Sequence, residues 1–130
     1  MLRRKVKSNK GDFGRIFILA GSSGFSGAAV LCSLGAIRSG AGLVTLGIPK
    51  GINSSIIKIK PLEVMTLPLP ETSSGSVSLK AFGEIKKFSK KVGLIIIGPG
   101  LTQDKSTQSL IRKLTAEINK PLIIDADGLN

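Results

Sequence analysis

Apolar residues fall into short runs that alternate with segments of helical spacing. Ile16-Phe17-Ile18-Leu19-Ala20 is β-branched and aromatic and ends at Gly21, which predicts a strand buried on both faces. Phe25–Ser39 predicts a helix, with Val30, Leu31, Leu34 and Ile37 along one side and the small residues Gly27, Ala28 and Ala29 at its start. Gly42–Ile48 predicts a second strand closed by Pro49. Glu63–Leu69 predicts a third, which Pro68 and Pro70 confine to a sheet edge or shorten. Leu79–Lys91 predicts a short helix with its lysines outward, and Gly93–Ile97 a strongly apolar strand ended by Gly98-Pro99-Gly100. Leu110, Ile111, Leu114 and Ile118 trace one face of a further helix. Pro121–Ile124 forms the last strand and runs into Asp125-Ala126-Asp127-Gly128, whereas Thr72–Ser78, rich in Ser and Gly, reads as a loop. This alternation predicts an α/β fold, a three-layer α/β/α sandwich built on a mostly parallel sheet.

Composition narrows the function classes. The chain has 130 residues, 42% of them hydrophobic, which suits one domain or part of one and is too apolar for a disordered basic tail. His, Trp and Tyr are absent, which excludes a histidine base, a histidine metal ligand and a Ser-His pair. The single cysteine, Cys32, excludes an intrachain disulfide and a CxxC metal site, and a reduced, cytoplasmic setting is expected. Lys and Arg number 19 against 8 Asp and Glu, a formal charge of +11 that invites a nucleic-acid reading. Six of these cations, Arg3, Arg4, Lys5, Lys7, Lys10 and Arg15, lie in the first fifteen residues, so that residues 1–9 form a basic arm. Most others, such as Lys86, Lys87, Lys90 and Lys91, sit where helix surfaces are predicted, and the five aromatics are all Phe and are not interleaved with Arg. No nucleic-acid partner is expected. Ile16 to Ile37 carries no charge and is long enough to span a bilayer, but its interior, Gly21–Gly27, has turn composition. No membrane partner is expected either.

Ligands of open parallel sheets collect beyond the carboxyl ends of the strands. Three turns are predicted there. In the first, Ala20–Ala28, the glycines are spaced GxxGxxG, which is neither the dinucleotide fingerprint nor the P-loop. No acid stands between Asp12 and Glu63 to hold a ribose, so a dehydrogenase-type dinucleotide site fails. What is left is a helix N-terminus at Ser26, Gly27 and Ala28 offering N–H groups to a polar or anionic ligand, or else a plain tight turn. The second turn, Gly98-Pro99-Gly100-Leu101, lets a ligand reach the backbone or is simply structural. In the third, Asp125 and Asp127, with Asn130 behind them, suit a hydrated Mg²⁺ or ligand hydroxyls; helix capping by Asp127 or Asn130 is the alternative.

Six segments in this order, Lys10-Gly11-Asp12-Phe13-Gly14-Arg15, AGSSGFSGAA, IRSGAGLVTLGIP, EVMTLPLPET, LIIIGPGL and PLIIDADGLN, resemble the N-terminal part of the ADP/ATP-dependent (S)-NAD(P)H-hydrate dehydratases of the ribokinase-like superfamily. The resemblance covers residues 10–130 and implies a ribokinase-like fold truncated at its C-terminus. It implies a lyase that returns NAD(P)H-hydrate to NAD(P)H using ADP or ATP with Mg²⁺. It further implies substrate contact at Ala28, Gly98 and Gly100, with Asp125 and Asp127 near the same cleft and Lys10, Ser26, Gly27 and Asn130 as accessory positions. The family's Thr-Pro-His, Lys-Gly and Gly-x-Gly-Asp segments have no counterpart here, so no catalytic residue is assigned within this chain and it is expected to be inactive alone. The implied partners are small nicotinamide and adenine nucleotides, with self-association into a homo-oligomer left open. A non-catalytic nucleotide-binding module and a related small-molecule kinase fragment are the alternatives, since a shared fold does not choose the chemistry.

Overall fold

The computed structural model describes residues 14–129, so the basic arm, Lys10 and Asn130 lie outside the described residues. The apolar run predicted first becomes β1 (Arg15–Leu19), the central strand of a five-stranded sheet. It pairs on one side with β2 (Leu43–Pro49) and on the other with β4 (Leu94–Ile97), while β3 (Val64–Leu69) and β5 (Leu122–Ile124) lie outermost. The order is β3-β2-β1-β4-β5, and every pairing is parallel, which sharpens the expected "mostly parallel". Pro68 is tolerated because β3 is an edge strand, where it stands opposite Ile48.

Two cores follow from the alternation of side chains along buried strands. Ile18, Ala20, Val44, Leu46, Ile48 and Val64 face one layer, formed by α1 (Ser26–Arg38) and α2 (Asn53–Ile59). Phe17, Leu19, Ile95 and Ile97 face the other, formed by α3 (Phe82–Ser89) and α4 (Lys105–Glu117). The result is the predicted three-layer α/β/α sandwich. Each fully buried Leu or Ile contributes about 1.5–3 kcal/mol by leaving water. Gly47 has a packing reason, since a Cβ there would overlap the Phe17 ring, which lies 5.3 Å from that of Phe88.

The charge-free stretch divides into β1, a glycine turn and α1; among the described residues no helix is long and apolar enough to cross a membrane. Leu79–Lys91 resolves into a 3₁₀ turn, Leu79–Ala81, followed by α3, with Lys86, Lys87, Lys90 and Lys91 exposed. The unforeseen element is α2, with the 3₁₀ turn Lys50–Ile52 ahead of it. Its seven residues hold three isoleucines, of which Ile56 is buried and Ile57 and Ile59 are exposed. So short a segment shows no helical period, and β-branched residues favour strands.

Candidate functional site

Because all five strands run in one direction, the segments that follow them emerge at one edge of the sheet. After β1, Gly21 takes φ +81° and donates its N–H to the Pro99 carbonyl at 2.8 Å. The buried Ser22 donates its hydroxyl to the Gly100 carbonyl at 2.7 Å, and the Ser23 N–H reaches the Gly75 carbonyl at 2.9 Å. The glycine turn is thus fastened on both sides. It leads into α1, whose N-cap Phe25 supplies no side-chain acceptor and whose first turn, with Ser26, Gly27 and Ala28, holds no acid. The leading N–H groups of α1 therefore have no side-chain acceptor at the cap. From the turn after β4, Gly100 at φ +70° approaches α1 so closely that a Cβ on it would stand 2.9 Å from the Ala28 Cβ.

Gly98 adopts φ +135°, and a Cβ on it would overlap the Asp125 carbonyl. The turns after β4 and β5 consequently touch through their backbones, with the Asp125 N–H donating to the Ile97 carbonyl at 3.0 Å. Thr102 sits at φ +76°, unusual for a β-branched residue. Its N–H donates to Asp127 Oδ2 at 2.9 Å, and Gln108 Nε2 donates to the carbonyls of Thr102 at 3.1 Å and Asp127 at 3.2 Å. Gln108 Oε1 is buried without a partner. Asp127 is therefore a clamp between two turns, and its carboxylate caps no helix among the described residues. Asp125 is exposed and points elsewhere: burial foremost, and then the nearby Asp125 charge, push the Cys32 thiol above its ordinary pKa.

Ala28 and Gly100 thus approach each other with Ser26 and Gly27 adjoining, whereas Gly98 packs against Asp125 and Gly128, and the two aspartates are separated in role. Among the described residues no three His, Cys, Asp or Glu side chains cluster as metal ligands, and Asp127 is already engaged.

Thr72–Ser78, expected only as a loop, is a wall of this edge. Ser76 Oγ and Thr102 Oγ1 share a 2.7 Å hydrogen bond, and Thr107 Oγ1 donates to the Val77 carbonyl at 2.7 Å. Ser74 Oγ donates to Asp104 Oδ2 at 2.7 Å, while Asp104 Oδ1 caps α4 by accepting from the N–H groups of Ser106 and Thr107. The Ser74 bond foremost, aided by these helix N–H groups against a smaller effect of burial, holds the Asp104 carboxyl below the usual carboxylate range. Ser22, Thr102, Asp104 and Gln108 are the residues that sequence reasoning missed; only Asp104, an N-cap residue type just ahead of a helix, carried a local signal.

The parallel sheet in the order β3-β2-β1-β4-β5, with glycine turns meeting over its central strand, is a doubly wound α/β architecture, and among solved structures it matches ribokinase-like ones. A ribokinase-like superfamily protein from Enterococcus faecalis superposes with a TM-score of 0.80 at 24% identity, over 98% of this chain and 42% of that one, a likeness of fold alone. A family model described as NAD(P)H-hydrate dehydratase matches residues 16–130, and the chain belongs to that family. It is 38% identical over 128 residues to the bifunctional NAD(P)H-hydrate repair enzyme Nnr of Moorella thermoacetica, covering 98% of this chain and 24% of that protein. The ADP/ATP-dependent NAD(P)H-hydrate dehydratase of Bacillus subtilis, co-crystallised with ATP and Mg²⁺, matches with a TM-score of 0.74 and 30% identity over 99% of this chain and 43% of that one. The chain spans about a quarter of the length of the curated relatives it matches.

Proposed function

We propose that these residues form the nicotinamide-nucleotide side of an ADP- or ATP-dependent (S)-NAD(P)H-hydrate dehydratase, which returns the hydrated cofactor to NADH or NADPH by loss of water in the cytoplasm. The observation that carries this reading is the contact of Ala28 with Gly100 beside the α1 N-terminus, in a chain of this family. Small residues there expose backbone N–H and C=O groups to a ligand, and the helix end favours its negative charge. Their work is binding and orientation. Adenine nucleotide with Mg²⁺ supplies the driving force by phosphoryl transfer or hydrolysis, and no residue described here is assigned to hold it.

No residue described here is assigned to proton transfer. The sequence contains no His, and Asp127 is committed to the Thr102 N–H. Residues 1–130 alone are therefore expected to bind NADH without converting its hydrate. The test supplies hydrated NADH, ADP or ATP, and Mg²⁺, and follows the return of NADH absorbance, with NADH binding measured by calorimetry on the same preparation. Turnover by the chain alone would overturn the division of labour, and a failure to bind any nicotinamide nucleotide would overturn the reading.

A further inference from the structure

Next to the Ala28–Gly100 contact, across the adjacent residues Ser22 and Ser23, lies a cavity of about 270 Å³ with different chemistry. Ser23 forms one wall, Gly51 and Ile52 after β2 another, and the loop from Glu71 to Gly75 after β3 a third. Glu71 brings the only carboxylate among the described residues that line it, and its Oε2 accepts from the Gly51 N–H at 3.2 Å. Glycine at 51 is what permits this, because a Cβ there would stand 2.7 Å from Glu71 Oε2 and 2.9 Å from Oε1. The other polar side chains in the wall are the neutral hydroxyls of Ser23, Thr72, Ser73 and Ser74.

That inventory selects a ligand class. An ionised carboxylate only accepts hydrogen bonds, through about four lone-pair sites, and Gly51 takes one of them. Among the described residues no Lys or Arg lines the cavity, so a phosphate would lack a counter-charge from them. Among the described residues no aromatic side chain lines it, so a nicotinamide or adenine ring would lack a stacking face from them. A vicinal diol suits this lining, donating to Glu71 and exchanging hydrogen bonds with Ser23 and Ser73, whereas Thr72 and Ser74 bond each other and Ser74 donates to Asp104. We infer that this cavity is a ribose subsite, in which Glu71 accepts from the two ring hydroxyls of the nicotinamide nucleotide. The inference rests on the reading of the Ala28–Gly100 contact as the nucleotide site, and it adds a specificity-determining residue from the loop after β3, at the edge of the sheet.

Calorimetry on the full 130-residue chain tests it, using nicotinamide mononucleotide and its 2′,3′-dideoxy analogue. The unmodified chain is expected to prefer the diol by about tenfold or more, the effect of hydrogen bonds to a charged group. Glu71→Ala should abolish that preference. Glu71→Gln, which keeps an oxygen for the Gly51 N–H, should weaken it while preserving the fold, checked by thermal unfolding. Equal discrimination in all three proteins would overturn the ribose subsite and leave the nucleotide reading standing. Failure of the unmodified chain to bind either compound would overturn both.

Discussion

Ser22 sets its buried hydroxyl 2.7 Å from the carbonyl of Gly100, joining turns 78 positions apart in the chain. The bond ties the loop after β1 to the loop after β4 beside the place where Ala28 meets Gly100. Ser22→Ala would leave the Gly100 carbonyl without its partner, at a cost of about 1–3 kcal/mol. Thermal unfolding should show a midpoint lower by roughly 5 °C or more, with weaker NADH binding. An unchanged midpoint would show that the bond contributes nothing.

Asp104 makes stability depend on acid. Its carboxyl lies below the usual range when folded, so its contribution is fully present above the ordinary carboxylate pKa of about 4 and is lost as pH falls through the depressed folded value. Urea midpoints between neutral pH and pH 3 should fall more steeply for the unmodified chain than for Asp104→Asn. Parallel curves would remove Asp104 from that account.

Cys32 should resist alkylation. Its thiol is raised by burial and by the Asp125 carboxylate, so iodoacetamide should react with the folded chain only at a higher pH than with a free thiol. Asp125→Asn should lower that pH part of the way, because burial, the larger cause, persists. A pH profile unmoved by Asp125→Asn would place the Asp125 charge too far from Cys32 to act on it.

The layers were readable because strands buried on both faces must be continuous apolar runs, as in Ile16–Leu19 and Leu94–Ile97. Pro68 likewise announced an edge through its missing N–H. α2 was not readable, since Ile56, Ile57 and Ile59 give a strand-like composition to a segment of two helical turns. Of the site, glycine-rich turns after strands were visible locally. The links between them were not, because each joins positions far apart: Ser76 to Thr102, Thr102 to Asp127, Gly51 to Glu71. Asp127, read as a ligand or cap, accepts through Oδ2 from the N–H of Thr102, whose positive φ no sequence pattern reveals.

The central position of β1 also sets an order of assembly. Its ladder with β2 closes between Ile16 and Val44, whereas its ladder with β4 closes between Ile16 and Leu94. Closing the longer loop costs more chain entropy, so the β1–α1–β2 unit should form ahead of the β4 docking. Truncations such as Leu46→Ala would then slow folding, while Ile97→Ala would mainly hasten unfolding; the reverse pattern would refute that order. The Ala28–Gly100 contact lies on the seam between the two events, so a folding chain holds Ala28 in place before Gly100 arrives to meet it.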